Sequence, residues 1–413
     1  MTFLFQTRFR SVAVALAAAA ACGLGHAQSF EQAVAAARSA DAQYTAALAA
    51  VANRRVQASQ AGAAFYPAAA VNYNQADVSA SGRSTRSVSV TQPLLSFDRY
   101  LTLKQADPLA ALAEVELAQA DNDMALRVFT AMADIVRNRE QIRALTVQIE
   151  GLEEQLRRSR RMRELGQGTV TEVSDFEVRV AVAQANRVSL RNALQAAERN
   201  FTLQTGLRAD VPTLQVQVQV PAWPESEDLD ALVSYVRERA PAARSAQLNV
   251  ELARIASRRV VAQYLPQVSA QVARVQTSGF QPNNSSRVAV TLSAPLGVSP
   301  YYENQRAAAD LVRAQENLRY AQDSTATEAT RLYTALRSSR EEVRIRRQAV
   351  ETARLAVDAN VKSYQGGVKT NIDVISSYQA LADAEVALVN TELQLTESRL
   401  RLQLLQQSVP TAP

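Results

Sequence analysis

The sequence predicts a mainly α protein with a small β part, in which long coiled-coil helices carry four short strands. Three observations lead there. Glycine and proline number only 12 and 13 among 413 residues, while alanine, glutamine, leucine, arginine and glutamate fill the chain. The strongest helix breakers are thus scarce and the good helix formers abundant. Apolar residues recur every seven positions over long stretches, and one ordered set of turn and strand markers occurs twice, about 200 residues apart.

The heptads are direct. Val128, Ile135, Ile142, Ile149 and Leu156 fall seven apart, as do Leu336, Val343, Val350, Val357 and Tyr364, and again Val374, Leu381, Leu388, Leu395 and Leu402. A strict seven-residue repeat keeps its seam on one side only if the helices wind around each other left-handedly, so these segments read as coiled coils. Ordinary amphipathic helices on a globule would drift toward a period of 3.6. Hydrophobic residues make up 47% of the chain, yet alanine-rich helices of this kind bury thin seams and build no thick core.

The repeat organises the rest. Phe65-Tyr66-Pro67 matches Tyr264-Leu265-Pro266, Thr91-Gln92-Pro93-Leu94 matches Ser293-Ala294-Pro295-Leu296, and the stretch from Gly166 to Val173 matches that from Gly367 to Val374, at offsets of 199, 202 and 201. In the first repeat a helix is expected over 29–64, broken near 39–41 and stopped by Pro67. Residues 68–76 alternate through Val71 and Tyr73 as a strand does. A polar loop follows over 77–86, then a second alternating stretch through Val88 and Val90 up to Pro93. A helix over 97–165 ends at Gly166 and Gly168, and another covers 172–205. The second repeat copies this order. A helix spans 228–264, strands carry Val268, Ala270, Val272 and then Val288, Val290, Leu292 around a loop at 279–286, and helices cover about 302–364 and 371–406. Between the repeats, 214–220 alternates strictly between Pro212 and Pro221 and reads as a small extra strand.

In domain terms, 1–27 is a signal peptide and 28–206 the first repeat, with a β-hairpin at about 67–95 and a helical tip at 166–172. Residues 207–227 connect it to the second repeat at 228–408, with a hairpin at about 266–295 and a tip at 366–373, and 409–413 form a short tail.

The signal peptide rests on Arg8 and Arg10, a short apolar stretch over 12–24, and Gly25-His26-Ala27 as a small-x-small cleavage site. A spanning helix would need about 20 apolar residues. Lipidation at Cys22 would want leucine where Ala19 stands. Cleavage removes the only cysteine and the only histidine, and the formal charge falls from +5 to +3. That leaves no thiol nucleophile, imidazole base, disulfide or Cys/His metal ligand. The charge makes no case for nucleic acid, and no catalytic constellation, metal site or cofactor site is expected.

Lengths suggest an architecture. A helix over 97–165 would be roughly 100 Å long at ~1.5 Å per residue, and the helices on either side about half that. Two half-length helices end to end would match one long one. Asp107-Pro108 interrupts the pattern, either as a kink or as the cap and first turn of a new helix. The four strands are each about ten residues long, enough to cross an outer membrane when tilted. Four strands cannot close a barrel, and open edges in lipid are excluded, so membrane-spanning strands would require an oligomer. The alternative is a soluble periplasmic coiled-coil scaffold or adaptor, with the strand valines left on an apolar face without a partner.

These markers resemble the TolC family of outer-membrane efflux and type I secretion channels. The resemblance lies in Phe65-Tyr66-Pro67 and Tyr264-Leu265-Pro266 before each hairpin, Gln92-Pro93-Leu94 after the first, and the turns beginning at Gly166 and Gly367. It implies a homotrimer with a 12-stranded transmembrane β-barrel in outer-membrane lipid, continuous with a coiled-coil helical barrel through the periplasm. It also implies a periplasmic adaptor and an inner-membrane pump of RND or ABC type as partners. Gly166, Gly168, Thr169, Gly367 and Thr370 would form the adaptor-docking tips. Tyr364, Lys369 and Asp373, with Thr171 and Glu172 as partners, would form the periplasmic gate. Ser376 stands where the family's second gate aspartate is found, and Lys369 replaces an arginine, losing its bidentate fork.

Overall fold

The computed structural model describes residues 29–75, 84–209, 229–278, 282–294 and 299–406. The expected signal peptide at 1–27, extra strand at 214–220 and tail at 409–413 lie outside the described residues. In chain order the elements are α1 (Phe30–Ala40), α2 (Ala42–Ala63), β1 (Ala68–Gln75), β2 (Ser84–Leu95), α3 (Phe97–Glu164), α4 (Val170–Thr205), α5 (Leu229–Arg239), α6 (Pro241–Ala262), β3 (Gln267–Ser278), β4 (Asn283–Ser293), α7 (Ser299–Gln365) and α8 (Asn371–Gln406).

Both repeats break their first helical stretch at the same place, by different chemistry. Asp41 takes an extended backbone and its carboxylate accepts the Tyr44 amide at 2.8 Å, capping α2. Arg127 donates to the same carboxylate at 2.8 Å. In the second repeat the helix expected over 228–264 is two helices. Pro241 begins α6, and it holds Ala240 at φ −59°, ψ 145°, because a residue before proline is driven out of the helical region. Pro108 does the opposite of starting a new helix: α3 runs through it from Phe97 to Glu164.

The strands form one antiparallel sheet in the order β1-β2-β3-β4, with the hairpins of the two repeats joined along β2 and β3. The hairpin loops are shorter than the composition implied. Ser84 pairs with Gln75 and Asn283 with Thr277, so polar residues assigned to the loops at 77–86 and 279–286 complete the ladders instead. Register puts unlike chemistry on the two faces, since residues directly opposite share a face. Val71 faces Val88, Ala69 faces Val90, and Val90 faces Val272, which faces Val288. With Val290 and Leu292 they make one apolar face, and Val288, Val290 and Leu292 are each about 70% exposed or more. Asn72, Ser87, Ser89, Thr91, Gln271 and Thr291 share the other face with alanines, Arg287 and a single valine from β3, Val275. The register slips at Pro93, where a ladder amide is missing.

The marker Gln92-Pro93-Leu94 has a structural task. Gln92 donates to the carbonyls of Phe65, at 2.8 Å, and of Pro93. Arg99 donates to the Ala64 carbonyl beyond the end of α2. Carbonyls that the helix terminus leaves open are thereby satisfied.

Two compact units emerge, 37–127 with 219–349 and 391–413, and 1–36 with 128–218 and 350–390. The first holds the sheet, and its helices close on Leu232, Val236, Ala240, Ala329, Leu332, Leu336 and Leu402. Among its described residues the second has helices as its elements and closes on Leu152, Leu156, Val173, Phe176, Val180 and Ile375. The heptad positions Val128, Ile135, Ile149, Leu156, Leu336, Val343, Val350, Val374, Leu381 and Leu402 are buried, and Ile142, Val357, Leu388 and Leu395 are half-buried. Among the described residues no helix is long and apolar enough to cross a membrane.

Candidate functional site

The helical unit contains both tips, and each is built the same way. At the first, the Gly166 amide donates to the Arg163 carbonyl at 2.9 Å and the Gln167 amide to that of Met162 at 2.9 Å. At the second, Gly367 donates to Tyr364 at 3.0 Å and Val368 to Ser363 at 2.9 Å. These paired bonds form a Schellman motif, which requires a left-handed residue at the turn. Gly166 and Gly367 both have φ +75°. Gly168 is required for another reason: a Cβ there would lie 2.9 Å from the Arg163 amide nitrogen.

The next helices start at caps. Thr169 Oγ1 accepts the Glu172 amide at 3.2 Å while the Glu172 carboxylate accepts the Thr169 amide, so α4 starts at Val170, two residues before the expected position. In the second tip the Asp373 carboxylate accepts from the Thr370 amide at 2.9 Å and its hydroxyl at 2.8 Å. Lys369 Nζ lies 3.6 Å from the same carboxylate, an exposed pair within one turn. The Thr370 donors, with Lys369 alongside, hold the Asp373 carboxyl below its usual range. The depressed value means that the ionised cap contributes fully above the unfolded pKa of about 4 and is lost as pH falls through the folded value.

The sequence-derived gate residues thus divide. Lys369 and Asp373 come together in one cap, with the tip residue Thr370. Glu172 serves the cap of its own helix, and Thr171 is exposed beside it. Within the chain Tyr364 turns toward α3. Its hydroxyl lies 3.3 Å from Ser159 Oγ, and its ring meets Phe176 edge to face at 6.4 Å.

Three contacts that tie the two helix pairs together were missed in the sequence. Asn371, only 8% exposed, donates to Asp175 Oδ2 at 3.0 Å. Gln148 donates to Gln379 at 2.8 Å. Gly151 lies directly against the ring of Tyr378. Asn371 is the first residue of α8 and Asp175 lies in the second turn of α4, and neither belongs to a recognisable motif. Within the second pair, the Arg354 bond to the nearly buried Glu385 at 2.9 Å joins α7 to α8. Among the described residues no cluster of three His, Cys, Asp or Glu side chains could hold a metal ion.

Residues 232–406 match the family of outer membrane efflux proteins. The chain is 24% identical over 309 residues to the alkaline protease secretion protein AprF of Pseudomonas aeruginosa, covering 72% of this chain and 64% of that one. It is 22% identical over 334 residues to the outer membrane protein TolC of Salmonella enteritidis, covering 77% and 68%. Among solved structures, the outer membrane protein VceC of Vibrio cholerae superposes with a TM-score of 0.75 at 16% identity, over 92% of this chain and 96% of that one.

Proposed function

We infer that this chain, whose sequence markers, relatives and fold are all those of TolC-family outer-membrane channels, is the exit duct of a tripartite export system. The observation that carries this reading is the sheet. Its one face is apolar and exposed, its other face small and polar, and β1 and β4 present edges that no described strand covers. Four strands that cannot close alone close by repetition, and lipid permits no open edge. Three copies give 12 strands, with the polar faces lining a lumen and the valines meeting lipid. A soluble periplasmic scaffold gives the apolar face no role.

The helical part lies in the periplasm in this reading. The two tips are the surface offered to a periplasmic adaptor, and the bonds around Tyr364, Lys369, Asp373 and Asn371 hold the second-repeat helix pair closed until the adaptor and an inner-membrane pump of RND or ABC type draw it aside. Thr171 and Glu172 would take part from the neighbouring chain. The duct itself performs no chemistry. Small-compound efflux and protein export share such a conduit, and the inner-membrane pump selects the cargo. The test is the oligomer mass of the detergent-extracted protein together with its conductance in a planar bilayer. A trimer with small, steady conductance is expected. A monomer that conducts nothing overturns the reading and restores the scaffold.

A further inference from the structure

We propose that Arg86 and Arg274 form a two-pronged site for the phosphate groups of an outer-leaflet glycolipid. The proposal rests on the sheet being part of a membrane barrel. The four strands contain three arginines and not one aspartate or glutamate. Arg86 pairs with Tyr73 on one side and Gln276 on the other, and Arg274 with Val88 and Ser286. Both arginines therefore lie on the apolar face, and both are exposed. Such a position is costly in hydrocarbon unless the charge reaches an interface or an anion.

Their height on the sheet provides both. On the side toward the helices the paired rows are Ala69-Val90-Val272-Val288, Gln92-Ala270-Val290 and Val268-Leu292, apolar except for Gln92, whose amide is taken up by the Phe65 and Pro93 carbonyls. On the side toward the hairpin loops they are Gln75, Ser84 and Ser278, with Gln276 and Asn284 just below. The arginines thus mark the upper margin of the apolar band. The helices leave from the opposite end of the sheet, so with the helices in the periplasm this margin faces outward. Tyr73 is 63% exposed in the same row as Arg86, an aromatic ring at the level where amphipathic side chains meet headgroups.

Spacing completes the site. Arg274 is two residues from Gln276, the partner of Arg86, so the arginines are diagonal neighbours about 7–8 Å apart. Two guanidinium forks at that separation can grip one phosphate, or two adjacent ones, through charge-assisted bonds. The ligand is then a diphosphorylated, multiply acylated glycolipid, whose chains lie along the valines and whose phosphates sit at the arginines. Arg287 pairs with Ala273 on the polar face and supplies an internal control.

The test uses the full-length protein in detergent, with the lipid counted by native mass spectrometry. Diphosphorylated lipid A should be retained by the wild type and by Arg287→Gln, and its fully dephosphorylated form should not. The double variant Arg86→Gln with Arg274→Gln should bind roughly tenfold more weakly while keeping the wild-type oligomer mass. Arg86→Lys with Arg274→Lys should fall between, which guards against a folding defect. Excess inorganic phosphate should leave the lipid in place. Equal retention by the Gln variant, equal binding of the dephosphorylated lipid, or displacement by phosphate alone would each overturn the proposal while leaving a conducting trimer intact. A wild type that forms no trimer overturns both this site and the duct.

Discussion

At Gly151 the absence of a side chain sets how closely α3 approaches α8. A Cβ there would lie 2.3 Å from two ring atoms of Tyr378 and 2.7 Å from its hydroxyl oxygen. Tyr378 packs on the cluster of Leu152, Phe176 and Ile375, and burial, with Glu154 nearby, raises its phenol pKa. Two effects of Gly151→Ala therefore oppose each other. Alanine gains about 1 kcal/mol of helix propensity, and overpacking costs about 1–3 kcal/mol. With Tyr378 present the clash wins, and the variant should melt below the wild type. In a Tyr378→Ala background only propensity remains, so the same substitution should raise the melting temperature. A change of equal sign in both backgrounds would show that the ring simply moves away. Sequence alone could not supply this contact. A glycine inside a heptad pattern looks like a mild defect, and its partner lies 227 positions away. Gly166 and Gly367 were legible for the opposite reason, since each ends a long apolar period at a turn that demands its φ of +75°.

Among the elements, the helix pairs α3–α4 and α7–α8 show what a motif can and cannot announce. Thr169 with Glu172, and Thr370 with Asp373, are local spacings, and their caps could be read directly. The bond from Asn371 to Asp175 spans 196 positions and has no local signature. Yet it joins the two tips, whereas the Lys369–Asp373 pair stays within one helix end. The difference has a measurable consequence for the proposed gate. An exposed pair is worth at most about 1 kcal/mol. A buried Asn left without its acceptor costs about 1–3 kcal/mol in the closed state. Asp175→Ala should therefore raise the open fraction in single-channel recordings more than Lys369→Ala does, and Asp175→Asn, which retains an acceptor, should lie near the wild type. The reverse order would place the restraint at Lys369. The break between α5 and α6 was also present in the sequence, at Pro241. A proline in a first turn starts a helix, so the one helix expected over 228–264 is two.

For the whole molecule the decisive question is which surface lipid covers. The alternation at Val71, Val88, Val272 and Val288 revealed an apolar face before any pairing was known. The pairing then showed that all four belong to one continuous sheet. Neither sequence nor a single chain closes the edges; in the proposed duct the missing partner is another copy. Val90 and Ser89 separate the two faces by one residue. Val90 lies between Ala69 and Val272 in the apolar rows, and Ser89 between Ala70 and Ala273 on the polar face. An arginine near the bilayer midplane on a barrel's lipid face costs about 2–4 kcal/mol per chain, and one facing a watery lumen costs little. Val90→Arg should therefore cut the yield of folded, protease-resistant protein in liposomes severely, with the penalty taken three times in a trimer, while Ser89→Arg should insert normally and alter conductance. A protein that tolerated both equally would have no lipid face, whereas one that rejected Ser89→Arg alone would turn the valines toward its own interior.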